Sequence, residues 1–130
     1  MAESKLIATL AAQLTTRQHT FLSGVPATDG GSDEGPNPHE YVEAALAACT
    51  TITIQMYANR KQWNLLSADV RVKITEEGES SRFSREISFR GQLSDEQRAR
   101  LLEIADKCPV HKLLESKIAI DTRETTPNEA

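Results

Sequence analysis

Several features that mark specialised protein classes are scarce in this chain. Its 130 residues include two cysteines and one tryptophan, and aromatic residues make up only 5%. Two cysteines are too few for a secreted disulfide scaffold, and a chain of this length can bury a core without disulfides or a structural metal. We therefore expect a single domain over residues 1–130, with a largely aliphatic core.

Long apolar runs and clusters of positive charge are also missing. Lys and Arg total 15 against 19 Asp and Glu, a formal net charge of −4, which argues against nucleic acid and against an anionic membrane surface. No segment approaches the ~18 apolar residues of a membrane span, and residues 1–10 lack the pattern of an export signal. We expect a cytoplasmic protein with reduced thiols and with neither nucleic acid nor membrane as a partner.

The first half of the chain predicts strands, a long loop and a long helix. Loose alternation in residues 5–22 predicts two short strands that meet near Thr15 to Arg17, and the glycine and proline of residues 23–38 predict a loop. Asn37, Pro38 and Glu40 match the N-cap, the first position and the capping box of a helix. The alanine-rich and β-branched run that follows extends this predicted helix to about Lys61.

The second half predicts a hairpin and two shorter helices. Apolar residues alternate with polar ones in 70–75 and again in 83–93, as in an antiparallel pair of strands joined by a turn over 76–81. Ser94 opens a second capping box, from which a helix runs to about Lys107. A short helix follows to Glu115, with Pro109 at its first position and Cys108 as its N-cap.

A final strand is predicted over Lys117 to Arg123, where Ile118 and Ile120 alternate with polar residues. The polar tail, residues 124–130, is expected to be frayed. The predicted fold class is therefore α+β: N-terminal strands, a long central helix, a hairpin, two helices and a final strand.

The two cysteines differ in their predicted surroundings. Cys49 lies inside the alanine-rich helix, where a free cysteine usually behaves as a small inert hydrophobe. Cys108 stands at a helix N-terminus, where free N–H groups favour a thiolate, with His111 one turn further on. Spacing alone leaves both a structural and a reactive interpretation open for each residue.

Other kinds of site have weaker support. Cys49, Cys108, His39 and His111 include no Cys-x2-Cys pair of the kind that marks zinc sites. No nucleophile-elbow pattern supports a Cys-His hydrolase, and the glycines of the loop lack the spacing of a phosphate-binding loop. We therefore expect no metal and no cofactor.

Five segments together resemble the OsmC/Ohr family of osmotically induced and organic-hydroperoxide-resistance proteins. They span nearly the whole chain, and the two cysteine-centred motifs occur in the family's order. The general OsmC-like branch is the closer match, rather than Ohr proper. The segments are Gly35–Glu40, Ala44–Thr50, Met56–Lys61, Gln97–Arg98 and Ile104–His111.

The resemblance implies an OsmC-like fold in an intertwined homodimer with thiol peroxidase activity. Cys49 would be the peroxidatic cysteine, oxidised by an organic hydroperoxide to a sulfenic acid, and Cys108 would resolve it as an intramolecular disulfide. A dithiol reductant, such as a lipoylated protein in Ohr-type members, would restore both thiols. No cofactor is needed for the peroxide step.

In this family an arginine favours the ionised thiol and a glutamate orients the arginine. Arg17, at the turn between the first strands, resembles that arginine, although a solvated turn residue would look the same. Glu40 is the candidate glutamate, although it also fits as a helix cap. A gap-free alignment on Cys49 instead places the family's acid at position 39, which is His39 here.

The departure at position 39 keeps a second function open: a non-catalytic dimer that binds a small apolar or thiol ligand, or a redox sensor. A dimer also has independent support from the residues. The central helix is apolar on most sides, more than a half-exposed helix in a small lone domain should be, which indicates a partner surface.

Overall fold

The computed structural model describes residues 1–127 and has an α+β fold, as predicted. The elements, in chain order, are β1 (Glu3–Ala8), β2 (Ala11–Thr16), β3 (His19–Ser23), α1 (Pro38–Lys61), β4 (Asn64–Glu76), β5 (Arg82–Gln92), α2 (Asp95–Ala105) and α3 (Pro109–Glu115). The strands form two separate sheets, β1-β2-β3 and β4-β5, both antiparallel.

The N-terminal sheet has three strands rather than the predicted two. The predicted turn near Arg17 is present, but a second reversal occurs at Thr9 and Leu10, between β1 and β2. Leu10 adopts a left-handed backbone with φ 57°. Glycine or asparagine usually marks such a position, and neither is present here, so the sequence carried no signal for this turn.

The long helix α1 begins and ends as predicted. The Asn37 side chain accepts from the Glu40 N–H, and the Glu40 carboxylate accepts from the Asn37 N–H, so the predicted capping box is formed. The buried residues of the helix are spaced four apart, and they are Leu46, Thr50, Ile54 and Ala58. This spacing lays one narrow face of α1 against the hairpin.

The hairpin β4-β5 is long and supports α1. Its register pairs Asn64 with Gln92 at one end and Glu76 with Arg82 at the other, which confirms the predicted antiparallel strands. Side chains of β5 alternate between half-buried and exposed along its whole length. The half-buried set is Phe83, Arg85, Ile87, Phe89 and Gly91.

The core lies between α1, the hairpin and α2. Its buried members are aliphatic, as the low aromatic content predicts, and are Ile54, Ala58, Leu65, Ala68, Leu101, Ile104 and Ala105. Both predicted short helices are present, although α2 ends at Ala105, two residues before the predicted Lys107. No described helix is long and apolar enough to cross a membrane.

Tyr57 and Arg100 connect α1 to α2 at the edge of the core. The Arg100 Nε donates to the Tyr57 hydroxyl at 3.0 Å, and this hydrogen bond lowers the pKa of Tyr57 below its ordinary value. The Arg100 guanidinium also lies 5.4 Å from the centre of the Tyr57 ring. The contact stabilises the packing of the two helices at the end of α1 remote from Cys49.

The predicted final strand over Lys117 to Arg123 is wrong for the single chain, because residues 117–127 form neither helix nor strand. Ile118 and Ile120 are 57% and 85% exposed. A strand needs a neighbouring backbone to pair with, and no strand of the described chain pairs with this segment. Of the predicted frayed tail, 124–127 are exposed, and 128–130 lie outside the described residues.

Candidate functional site

Both cysteines lie where α1 meets α3, and both are free thiols. Cys49 is half-buried on the side of α1, next to the inward-facing Thr50, whereas Cys108 is completely buried at the start of α3. The four-residue spacing of the buried face of α1 includes position 50 and leaves position 49 at its border. Cys49 is therefore the more accessible of the two sulfur atoms.

Two consecutive amides of α3 hold the two sulfur atoms. The Val110 N–H donates to Cys49 Sγ at 3.5 Å, and the His111 N–H donates to Cys108 Sγ at 3.3 Å. Pro109 fills the first position of the helix, where its missing N–H costs nothing. The predicted N-cap role of Cys108 is present, and one short stretch of backbone brings both sulfur atoms to the same place.

Different hydroxyls accompany the two sulfur atoms. Thr53 Oγ1 lies 3.9 Å from Cys49 Sγ, one turn along α1, and Thr50 Oγ1 lies 3.8 Å from Cys108 Sγ. The groups recorded around Cys49, the Val110 N–H and the Thr53 hydroxyl, are both able to donate a hydrogen bond to sulfur.

Arg85 is the main residue of the site that the sequence analysis missed. It projects from β5 toward α1 and its side chain is only 12% exposed. Its guanidinium donates to Thr50 Oγ1 at 3.1 Å, to Asp106 Oδ1 at 2.9 Å and to His111 Nδ1 at 3.1 Å. One side chain thus joins α1, the end of α2 and α3 around Cys108.

A signal for Arg85 does exist in the sequence. In the alternation of β5, positions 83, 87 and 89 carry the apolar residues Phe83, Ile87 and Phe89, and position 85 belongs to the same face. An arginine on the core face of a strand requires buried acceptors for its donors. The alternation that predicts the strand thus also places Arg85 on its core face.

His111 links Arg85 to Glu115 within α3. Arg85 has only donors, so the Nδ1 atom that it contacts at 3.1 Å acts as an acceptor. The other ring nitrogen, Nε2, lies 2.9 Å from Glu115 Oε1. His111 thereby orients the Arg85 guanidinium within the site.

The other two predicted site residues are not brought to the cysteines within one chain. Arg17 is exposed in the turn between β2 and β3, with a left-handed backbone of φ 53°. Glu40 caps α1 and lies nine residues before Cys49, which is about 13 Å along the helix axis. His39 instead pairs with Glu77 at 2.7 Å, on the surface beside the hairpin turn.

A cleft of about 750 Å³ opens between the tip of the hairpin, α1 and α3. Its lining includes Leu46, Phe83, Leu114 and the polar pair Arg85 and His111. Neither cysteine lines it, and Cys108 is completely buried. Among residues 1–127 no group of three or more His, Cys, Asp or Glu is arranged to hold a metal ion.

Comparison of the sequence with protein families gives one assignment. The family model described as OsmC-like protein matches residues 30–123, which include α1, the hairpin, α2, α3 and both cysteines. The chain belongs to the OsmC-like family. No curated protein matches this OsmC-like chain in sequence.

Solved structures similar to the OsmC-like chain share its fold at low sequence identity. An OsmC-like protein from Mycoplasma pneumoniae is 15% identical, with a TM-score of 0.76 over 88% of this chain and 86% of that one. An organic hydroperoxide resistance protein from Elizabethkingia anophelis is 18% identical, with a TM-score of 0.63 over 88% and 86%. A Legionella pneumophila protein named organic hydroperoxide resistance protein OsmC is 17% identical, with a TM-score of 0.59 over 88% of each chain.

Replacing Arg85 with Met tests its role in holding the site together. The change leaves Thr50 and His111 without their donor, so we expect the free energy of unfolding to fall by about 1–3 kcal/mol. Arg90→Met is the matched control, because Arg90 lies on the same strand, is 73% exposed and forms a surface ion pair with Asp69. Urea denaturation at equal protein concentration should show a change within about 0.5 kcal/mol for the control. An equal decrease in the free energy of unfolding in the two variants would contradict this account of Arg85.

Proposed function

We propose that this OsmC-like protein reduces organic hydroperoxides, with Cys49 as the peroxidatic cysteine and Cys108 as the resolving cysteine. The observation that carries the proposal is the placement of both sulfur atoms on consecutive amides of α3, at 3.5 and 3.3 Å. Residues 59 positions apart in the sequence have no structural need to meet there. A peroxidatic and a resolving cysteine do need to meet, because a disulfide must form between them.

The accessibility of the two sulfur atoms supports the division of roles. Cys49 is half-buried, and the Val110 N–H beside it donates to the sulfur, while the Thr53 hydroxyl is able to do so, which would suit the thiolate that attacks a peroxide. Cys108 is fully buried, so a peroxide in solution meets Cys49 first. The surface around Cys49 on α1 is apolar, with Ile52 and Met56 exposed, which favours hydroperoxides with an apolar organic group.

The proposed reaction balances over two steps and a reduction. The Cys49 thiolate attacks the outer oxygen of ROOH, the O–O bond breaks, and the alkoxide takes a proton from solvent to leave as an alcohol. The thiol of Cys108 then attacks the sulfenic acid of Cys49, which forms the disulfide and releases water. A dithiol reductant exchanges with the disulfide, becomes a disulfide itself and returns both cysteines to thiols.

A second copy of the chain completes this proposal. Every residue of β1 is exposed, the N-terminal sheet packs chiefly on itself, and Ile118 and Ile120 lie exposed on a segment without a pairing partner. The half-buried Cys49 lies in a stripe at helical spacing on α1 whose other members, Ala45, Ile52 and Met56, are exposed. A homodimer would cover these surfaces and bring Arg17 of the second copy toward Cys49.

The roles of the cysteines predict distinct outcomes for their serine variants. Cys49→Ser should consume no cumene hydroperoxide, because no peroxidatic thiolate remains. Cys108→Ser should consume one equivalent and stop at a sulfenic acid that dimedone traps, since no thiol is left to resolve it. Thiol titration and mass spectrometry measure both results. Wild-type thiols that survive millimolar hydroperoxide would contradict the peroxidase and favour a ligand-binding dimer.

Complementation between two inactive variants tests the dimer and Arg17 together. As homodimers, Arg17→Ala should be slow because it lacks the cation, and Cys49→Ser should be inactive because it lacks the nucleophile. If Arg17 acts across the interface, co-expressed chains should regain about a quarter of the wild-type rate, since half of the dimers carry one intact site. Sedimentation should show a dimer for the wild type. No regained activity, or a folded wild-type monomer, would contradict the assignment.

A further inference from the structure

The hydrogen bonds of Thr50 determine which way the proton of Cys108 points. Thr50 Oγ1 lies 2.7 Å from the Leu46 carbonyl oxygen, 3.1 Å from the Arg85 guanidinium and 3.8 Å from Cys108 Sγ. A hydroxyl has one proton and two lone pairs. The carbonyl can only accept, so the Thr50 hydroxyl donates its hydrogen bond to Leu46. The guanidinium can only donate, so one lone pair of the hydroxyl oxygen accepts from Arg85. The remaining lone pair faces Cys108, which must therefore act as the donor.

We propose that Cys108 rests as a neutral thiol whose proton is held by Thr50, and that Thr50 and Arg85 are positioning residues for the resolving step. The proposal rests on the peroxidase function given above. Thr50 binds the S–H directly, whereas Arg85 acts through Thr50 by fixing the direction of its lone pairs.

The other charged groups near Cys108 are already paired with one another. Arg85 is bound to Asp106, at the end of α2, and to His111 of α3, whose Nε2 lies 2.9 Å from Glu115 Oε1. Within residues 1–127, Cys108 Sγ accepts only the His111 N–H, which orients one sulfur lone pair. The groups around Cys108 therefore hold its sulfur in place and do not deprotonate it.

The same hydroxyl has a second role when Cys108 reacts. As Cys108 attacks the sulfenic acid of Cys49, its proton passes to the departing hydroxide and water leaves. Negative charge develops on the Cys108 sulfur while the proton is leaving. Rotation of the Thr50 hydroxyl from the Leu46 carbonyl toward this sulfur supplies a donor at that moment, and Arg85 keeps the oxygen in place during the rotation.

The stretching band of the S–H bond tests the resting state directly. In a Cys49→Ser background Cys108 is the only thiol of the chain, and its infrared band should lie at the lower frequency of a hydrogen-bonded S–H at neutral pH. Thr50→Val should move the band to the frequency of a free thiol. Thr50→Ser, which keeps the hydroxyl, should show the band at the hydrogen-bonded frequency. Thr51→Val, at the half-buried neighbouring position, is the control and should leave the band unchanged.

The infrared result does not depend on peroxide chemistry, so it separates this inference from the proposed function. A neutral-pH spectrum without an S–H band would mean that Cys108 rests as a thiolate, which would overturn the proposal. A band that Thr50→Val does not move would overturn it as well. Neither result would affect the assignment of Cys49 as the peroxidatic residue.

The resolving step gives a kinetic readout with both cysteines present. Thr50→Val should slow disulfide formation roughly tenfold, the effect of one lost hydrogen bond, and should leave sulfenic acid formation at Cys49 within about twofold of wild type. Dimedone should therefore trap more sulfenic acid in Thr50→Val than in Thr50→Ser or Thr51→Val. Equal slowing of both steps would indicate a general structural effect and would contradict the positioning role.

Discussion

The arrangement of the site depends on one buried guanidinium. Arg85 reaches from the hairpin to Thr50 on α1, Asp106 at the end of α2 and His111 on α3. A buried cation is costly unless its donors are satisfied, so the position of each acceptor is constrained by the others. The start of α3 is thereby fixed against α1, and its first free amides meet the sulfur atoms of both cysteines. The geometry on which the proposed chemistry relies follows from this constraint.

The single chain leaves apolar surface uncovered, and part of it lies on α1 beside the accessible cysteine. The stripe on α1 that contains Cys49, the fully exposed strand β1 and the unpaired isoleucines after α3 are all surfaces that a small protein usually buries. In the proposed homodimer, the exposed Arg17 of the second copy would supply the cation beside Cys49. A site shared between copies would couple the ionisation of Cys49 to assembly, while Cys108 would be controlled within its own chain.

The sequence predicted elements whose signals are local. The two capping boxes, the proline at the start of α3 and the alternation of the hairpin strands each depend on residues a few positions apart, and all of them are present in the structure. The turn at Leu10 was missed because no residue there favours a left-handed backbone. The prediction of the last strand was wrong because a strand needs a neighbouring strand to pair with, and local alternation does not reveal whether one is present. Arg85 was missed because its acceptors, Thr50 and His111, are distant in sequence and come together only through packing.

Disulfide mapping of the wild-type protein after one turnover tests the central claim most directly. The protein would be treated with one equivalent of an organic hydroperoxide without reductant, alkylated, digested and analysed by mass spectrometry. The account predicts one bond between Cys49 and Cys108 of the same chain, because consecutive amides of α3 hold both sulfur atoms. A bond between two Cys49 residues of different chains, or Cys49 over-oxidised beside an intact Cys108 thiol, would contradict it.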